Sequence, residues 1–113
     1  LDWELTHQGP AEEDLGYLCA NVWRFGQLHK PVGGFGDYDD LIAGYKSAAG
    51  WTPDLPTIRY WEIFAALSWG LVCQTMGALW HSGNGDVERA AVARRRSEAE
   101  LDMLLLIEEW ESV

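Results

Sequence analysis

The sequence has little cysteine and no zinc-binding pattern. These shortages argue against a disulfide-stabilised protein and against a protein with a structural zinc site. Only Cys19 and Cys73 occur among 113 residues, and each lies inside an apolar helical pattern. We therefore expect small, buried free thiols in a reducing compartment rather than a disulfide framework. No spacing of cysteine and histidine resembles a zinc site, so we expect no structural zinc.

Basic residues are also scarce. Eight Lys and Arg stand against 18 Asp and Glu, which gives a net charge of −10. A chain this acidic repels phosphate backbones, so we expect no general nucleic-acid binding. The run Arg94-Arg95-Arg96 is too short to reverse that. The opening Leu1-Asp2-Trp3-Glu4 has no basic segment of a signal peptide, and no Met precedes it. We expect a cytoplasmic chain that lacks an upstream portion.

What the chain does contain is apolar and aromatic. Hydrophobic residues make up 48% of the sequence, and seven of the residues are Trp. This composition excludes a disordered tail and suits one domain over residues 1–113. Because each Trp ring is large, we expect every one of the seven to bury most of its ring in well-packed contacts.

The hydrophobic periodicity predicts an all-α fold of about four helices in a bundle, following a short extended N-terminal segment. Capping residues and breakers place the helix boundaries. Asp37, with Asp40 after it, caps the second helix, Gly50 ends that helix, and Asp86 caps the fourth. The predicted ranges are Glu12–Phe25, Asp37–Gly50, Thr57–Trp80 and Asp86–Trp110.

The third predicted helix is apolar on most of its faces, which fits either the centre of a bundle or a membrane span. Glu62 and Gln74 interrupt it and no basic flank anchors it, so we favour the bundle and expect no membrane partner. In the fourth helix, Arg94–Glu98 and Arg96–Glu100 have the spacing of ion pairs on a solvated face. The apolar run 101–107 predicts burial.

One short segment has the chemistry of a metal site. Asp2 and Glu4 flank Trp3 in an alternating, strand-like stretch, and both carboxylates can approach one divalent cation if the segment kinks. Phosphoryl transfer needs such hard oxygen ligands, because Mg²⁺ bridges the nucleotide phosphates. Acidic residues beside a Trp are, however, usually plain surface, so this pattern alone is weak.

The same segment begins a resemblance that covers nearly the whole chain. The sequence resembles the aminoglycoside phosphotransferase-like kinase family, and most of all the branch that includes the kinase-like domain of certain acyl-CoA dehydrogenase fusion proteins. The first two blocks are the most specific. The blocks that carry the resemblance are Leu1-Asp2-Trp3-Glu4-Leu5-Thr6-His7-Gln8-Gly9, Glu13-Asp14-Leu15-Gly16-Tyr17-Leu18-Cys19, Trp23-Arg24-Phe25-Gly26, Val32-Gly33-Gly34-Phe35-Gly36, Tyr60-Trp61-Glu62 and Trp69-Gly70.

The resemblance implies roles for three acids. Asp2 matches the metal-binding Asp that follows the family's catalytic loop. Glu4 matches an acidic position that assists metal or substrate binding. Asp14 matches an Asp that organises the site region. Pro10-Ala11 departs from the family's Asp-Pro at that turn. The chain lacks the family's His-Gly-Asp element and downstream Asn, and it has no nucleotide loop with a strand Lys. The glycines of 33–36 form no phosphate cradle, because no Lys-Ser/Thr follows.

The resemblance therefore implies the substrate-side, C-terminal helical part of an ATP-dependent and Mg²⁺-dependent kinase that phosphorylates the hydroxyl of a small molecule. The chain alone would be inactive, without a bound cofactor of its own, and would need the missing N-terminal kinase portion as its partner. For the acceptor substrate we expect contacts from Trp23, Arg24 and Arg59, since Arg offers a planar fork to anions. For both arginines, an ion pair with one of the chain's acids is the simpler interpretation.

Core packing and pocket lining remain alternatives for the tryptophans. A different function also remains open. The chain could be a non-catalytic helical module that self-associates, as a homodimer for example, through the apolar surface near Leu5, Leu15 and the third helix.

Overall fold

A computed structural model describes residues 7–83 and 87–111 of the chain. In these ranges the fold is all-α, as predicted, and the one β-type pairing is an isolated bridge between Val32 and Gly36. The α-helices are α1 (Ala11–Cys19), α2 (Tyr38–Ala49), α3 (Leu55–His81), α4 (Val87–Ala93) and α5 (Arg96–Glu111). Helix α3 is the centre of the fold, because α1, α4 and α5 all pack against it.

Helix α1 is shorter than its apolar pattern predicted. It begins after Pro10 and ends at Cys19, not near Phe25, and a short 3₁₀ turn at Asn21–Trp23 follows. The backbone of Phe25 then takes φ 48° and that of Gly26 φ 87°. These left-handed conformations cannot continue a right-handed helix, so the chain turns away there.

Helix α2 has the ends that the sequence predicted. The N–H of Asp37 donates to Asp40 Oδ2 at 3.5 Å, in the capping-box arrangement. Gly50 ends the helix with φ 82°, and its N–H donates to Lys46 O at 2.9 Å. Glycine suits this position because the left-handed conformation costs it no Cβ clash.

Helix α3 begins at a strong cap. Asp54 Oδ2 accepts from the Thr57 backbone N–H at 3.1 Å and from Thr57 Oγ1 at 2.6 Å. The helix then runs 27 residues to His81. One face is buried, and its members recur at helical spacing. They are Ile58, Glu62, Ala65, Ala66 and Cys73.

A glycine lets α1 and α3 cross closely. A Cβ on Gly16 would lie 2.7 Å from both Ile58 O and Glu62 N, and 2.5 Å from Trp61 Cβ. No side chain fits at such distances from backbone atoms. Gly16 therefore fixes the crossing point of the two helices, one turn before the buried end of α1 at Cys19.

The fourth predicted helix is divided into α4 and α5 by a turn at Arg94–Arg95. The turn changes the ion pairing, because Glu98 pairs with Arg95 at 3.0 Å and not with Arg94. The predicted cap at Asp86 lies outside the described residues. The sequence predicted that the apolar run in α5 is buried. This prediction is wrong, since Leu101, Leu104 and Leu105 are about half exposed.

The buried core is small and lies where α1, α2 and α3 meet. Cys19, Val32 and Ile58 form its centre. Both cysteines are free and buried, as the sequence predicted. Three of the tryptophans bury little more than half of their surface, so their packing is looser than the well-packed contacts expected for them. These three are Trp51, Trp80 and Trp110.

Helix α3 carries much of the exposed apolar surface. By length and composition alone it could cross a membrane, and only 17% of its most apolar window is buried. The core helix of a soluble protein passes the same test of composition. The helices that pack on α3 cover one side of it and leave Phe64, Leu67 and Leu71 in contact with solvent.

Candidate functional site

A fully buried carboxyl group lies at the centre of the molecule. Glu62, in the middle of α3, has no exposed surface, and it is the one charged side chain buried to this degree in the described part of the chain. It shares its face of the helix with Ile58, Ala65 and Ala66, so helical spacing points it into the core. A carboxyl group in this position requires partners, because burial of an unpaired charge is costly.

The first partner comes from the start of α2. Tyr38 Oη donates a hydrogen bond of 2.5 Å to Glu62 Oε1. Tyr38 is partly buried and packs against the core formed by Cys19, Val32 and Ile58. This bond therefore joins α2 to α3 across the core, at the end of α2 that the Asp37 cap fixes.

The second partner comes from the loop after α1. Arg24 Nη2 lies 3.8 Å from Glu62 Oε2, close enough for charge attraction and too far for a hydrogen bond. The guanidinium instead donates to backbone oxygens, from Nε and Nη2 to Cys19 O and from Nη1 to Leu28 O. Arg24 thus holds the loop and supplies positive charge to the buried carboxyl group.

A close backbone contact supports Arg24. A Cβ on Gly34 would lie 2.4 Å from Arg24 O, so only glycine lets the two chain segments approach at this point. Gly33 N–H also donates to Leu18 O at 3.2 Å. The glycine-rich loop therefore packs closely against the Arg24 segment and the end of α1.

The environment shifts the acidity of these groups. Burial raises the pKa of Glu62, and the Tyr38 hydrogen bond and the charge of Arg24 only partly oppose that rise. Burial, with the Glu62 charge beside it, also raises the pKa of Tyr38 and raises the pKa of Cys19 to about 12. Burial thus disfavours the charged form of all three groups.

Arg59 approaches the same cluster from the other side. Its guanidinium carbon lies 5.9 Å from the centroid of the Tyr38 ring, and its Nη2 pairs with Glu109 of α5. Arg24 and Arg59 were both expected to contact an anionic substrate. The structure pairs each of them with an acid of the chain, which is the simpler interpretation that the sequence allowed for both.

A groove of about 570 Å³ runs between α1 and α3. Its walls are largely apolar and aromatic, and polar groups lie along one rim, where His7 Nε2 is 2.5 Å from Glu13 Oε1. Such a shape suits a ligand with an apolar body and a few hydroxyl groups. Its lining residues are His7, Glu13, Asp14, Tyr17, Trp61, Phe64, Ala65, Ser68, Leu71 and Val72.

The predicted site residues fall into separate places. Asp14 is exposed on the groove rim, while Trp23 lies beside Arg24 with its ring edge-on to Tyr17 at 5.6 Å. The Trp23 Nε1 is buried and donates to no acceptor among the described residues. The structure therefore places Arg24 and Arg59 at the buried cluster and Trp23 beside Tyr17, and none of the three is among the lining residues of the groove that includes Asp14.

The two expected metal ligands, Asp2 and Glu4, lie outside the described residues. Within residues 7–83 and 87–111, no group of three or more His, Cys, Asp or Glu side chains could hold a metal ion. The described part of the chain therefore supplies no complete Mg²⁺ site, and the donor set for Mg²⁺ and ATP stays a prediction about residues beyond it.

Sequence reasoning missed the pairing of Glu62 with Tyr38. The one available signal was an acid inside an otherwise apolar helix, at a position that shares a face with Ile58 and Ala65. In comparisons with known proteins, no family model, no curated protein and no solved structure matches this chain.

Proposed function

We propose that this chain is the substrate-side helical portion of a cytoplasmic, ATP-dependent kinase for a small hydroxylated molecule, and that it is inactive alone. Asp2 would hold Mg²⁺ with the help of Glu4, and a separate N-terminal portion would supply ATP binding and the catalytic base. The proposal rests on the residue blocks that resemble the aminoglycoside phosphotransferase-like family.

The observation that supports it most is the incomplete burial of α3. Phe64, Leu67 and Leu71 are exposed along a helix that is otherwise the centre of the fold. A single domain rarely leaves its central helix uncovered, so this surface fits a module completed by another portion of protein. The groove between α1 and α3 lies on the same helix and has the apolar walls and polar rim that a small acceptor needs.

The experiment is an assay of the longer protein. The coding frame upstream of Leu1 is cloned with this chain, and ATP consumption is measured against a panel of hydroxylated metabolites with Mg²⁺ present. We expect acceptor-dependent turnover, and we expect Asp2→Ala to lower kcat by at least about a hundredfold, because the metal ion loses a hard ligand. Asp39→Ala is the matched control, since Asp39 is an exposed acid in the first turn of α2.

Two outcomes would contradict the proposal. One is an upstream frame without a His-Gly-Asp element and a nucleotide loop. The other is a longer protein that consumes no ATP with any acceptor, or whose turnover responds equally to Asp2→Ala and Asp39→Ala. The chain on its own should neither bind Mg²⁺ and ATP tightly nor consume ATP.

A second candidate function is a non-catalytic, self-associating helical module. The observation that favours it is a continuous apolar surface on α3 and α5, where Leu67, Leu71 and Leu104 line one groove of about 380 Å³. A second copy could cover this surface. Molar mass that rises with concentration supports this function, and a monomer at high concentration counts against it.

A further inference from the structure

We propose that two copies of this chain pack their α3 helices side by side and antiparallel, through one exposed stripe of α3. The inference deepens the second candidate function, self-association, and rests on it. It names the contact surface and the orientation of the two copies. The spacing of the exposed side chains, the order of their sizes and the absence of charge among them carry it.

Six exposed side chains of α3 form the stripe. They recur at alternating steps of four and three residues, which is the spacing that a helix presents to a second helix packed along it. All six are exposed, and five of them are apolar or aromatic. The α3 stripe consists of Tyr60, Phe64, Leu67, Leu71, Gln74 and Ala78.

The α3 stripe lies opposite the helices that cover α3. Helix α1 crosses α3 closely at Ile58 and Glu62, and α5 approaches it at Gly70. Helical spacing puts these three positions on the other side of α3 from the stripe. A groove of about 570 Å³ lies towards α1 and one of about 380 Å³ towards α5, and Leu71 lines both. A helix laid on the stripe therefore has space for its flanking side chains on either side.

The order of side-chain sizes makes the stripe complementary to itself. Its large rings lie in the first half of α3, and its smaller side chains lie in the second half. A two-fold axis midway between Leu67 and Leu71 sets each large side chain against a smaller one of the second copy. The facing pairs are Tyr60 with Ala78, Phe64 with Gln74, and Leu67 with Leu71.

The antiparallel orientation follows from these pairs. Parallel packing would set Tyr60 against Tyr60 and Ala78 against Ala78, which crowds one end of the contact and leaves a gap at the other. Alternation of large and small residues across a contact fills space without either fault. A symmetric contact also uses the same surface on both copies, as a two-fold dimer requires.

The stripe contains no charged side chain. Among residues 60–80 the one acid is Glu62, which is fully buried, and there is no Lys or Arg. The stripe therefore offers a partner apolar contact and no ion pair, which a second copy of the same stripe matches. The net charge of −10 lies elsewhere on each copy, so it opposes association only through general repulsion.

Cysteine cross-linking tests the orientation. Chains with Tyr60→Cys and chains with Ala78→Cys are mixed in equal amounts and oxidised, and mass spectrometry identifies the cross-linked pairs. We expect the mixed pair to exceed either like pair by at least about fivefold, because a disulfide forms only between neighbouring Cβ atoms. The unaltered chain is the control, since Cys19 and Cys73 are buried. A mixed pair no more abundant than random pairing gives would overturn the antiparallel contact and leave self-association standing.

A pair of lysine substitutions tests the stripe itself. Leu71→Lys should lower the association constant by at least about tenfold, because the contact would strip water from the charge. Val72→Lys is the matched control. It adds the same charge at the next exposed position of the same helix, off the stripe, and should leave the association constant within about twofold. Light scattering over a concentration series measures the association of each chain, and circular dichroism checks its fold.

Salt separates the stripe from an ion-paired contact. Raising NaCl from about 0.05 M to about 0.5 M should strengthen association, because salt screens the repulsion between two acidic copies. Association that salt weakens, or equal effects of Leu71→Lys and Val72→Lys, would overturn the stripe as the contact. An unaltered chain that stays monomeric at every concentration would overturn both this proposal and the second candidate function.

Discussion

The side chain of Arg24 makes two kinds of contact. It donates three hydrogen bonds to the backbone oxygens of Cys19 and Leu28, and it provides positive charge 3.8 Å from the buried Glu62. The first kind holds the loop after α1, and the second offsets the burial of a carboxyl group. The Glu62 contact and the two bonds to Cys19 O are at least partly buried, so solvent screens them little, whereas the bond to Leu28 O is exposed.

We predict that Arg24→Met destabilises the chain by about 3 kcal/mol, because the loop oxygens lose their donors and Glu62 loses its nearest cation. Urea unfolding at neutral pH measures the change. In the double variant Arg24→Met, Glu62→Gln, the loss in free energy of unfolding should be smaller than the sum of the losses in the two single variants, since a neutral carboxamide needs no cation. Losses that add to within about 0.5 kcal/mol would show that the two side chains do not interact.

At the residue scale, the sequence analysis identified Glu62 only as an interruption of an apolar helix and did not predict this cluster. A lone acid in the apolar α3 pattern was visible, and the rule that buried acids are paired follows from physics alone. The partners were not visible, because Tyr38 and Arg24 lie 24 and 38 positions before Glu62 and meet it only where three segments cross. The roles given to Asp2 and Glu4 came from resemblance, and these residues lie outside the described ranges.

At the scale of elements, the close crossing of α1 and α3 depends on Gly16, which has no side chain. Gly16 lies buried against the α3 backbone, where a Cβ would be 2.7 Å from Ile58 O. Gly44 provides a matched contrast inside α2, because its φ is not positive and a Cβ added there would meet no atom of another element within 4 Å.

We predict opposite effects for the two alanine substitutions. Gly16→Ala should destabilise the chain by about 1–3 kcal/mol, since the helices must move apart. Gly44→Ala should stabilise it by about 0.5–1 kcal/mol through helix propensity. Thermal unfolding followed by circular dichroism measures both. If Gly16→Ala matched Gly44→Ala in sign, the close helix crossing would be refuted.

Element boundaries were predictable where local chemistry decides them. Asp37 and Gly50 mark the ends of α2 through contacts within a few residues, so the sequence pattern suffices. Helix α3 instead begins at Leu55 after the Asp54 cap, two residues before the predicted start at Thr57. The end of α1 and the break at Arg94–Arg95 have no such signal. The apolar period continues past the end of α1, and the ion-pair spacing continues through Arg94–Arg95. Phe25 also adopts a left-handed conformation that its residue type does not favour.

The molecule as a whole is more extended than a compact domain of its length. Its radius of gyration is 15.5 Å, whereas about 13 Å is expected for 113 compact residues. The small core at the meeting of α1, α2 and α3 leaves apolar side chains of α3 and α5 on the outside. The all-α class was therefore predictable from the sequence, but the burial of individual side chains was not. An apolar pattern shows which face of a helix must be covered, and it does not show which part of the protein covers that face.

The exposed α3–α5 surface gives a prediction at this scale. Leu104 is 60% exposed and lines the groove with Leu67 and Leu71, so a charge there should weaken any association through this surface while leaving the fold intact. We predict that the isolated chain associates at high concentration and that Leu104→Lys lowers its association constant by at least about tenfold, as a buried Lys would require desolvation.

Ser97→Lys is the matched control, because it adds the same charge at an exposed polar position of the same helix. Light scattering over a concentration series measures the molar mass of all three proteins. Both substitutions change the net charge from −10 to −9, so an effect of net charge alone would strengthen association equally in the two variants. Selective weakening by Leu104→Lys would place the contact on the α3–α5 surface, which is the surface that we propose is covered by a second copy or by the remainder of a kinase.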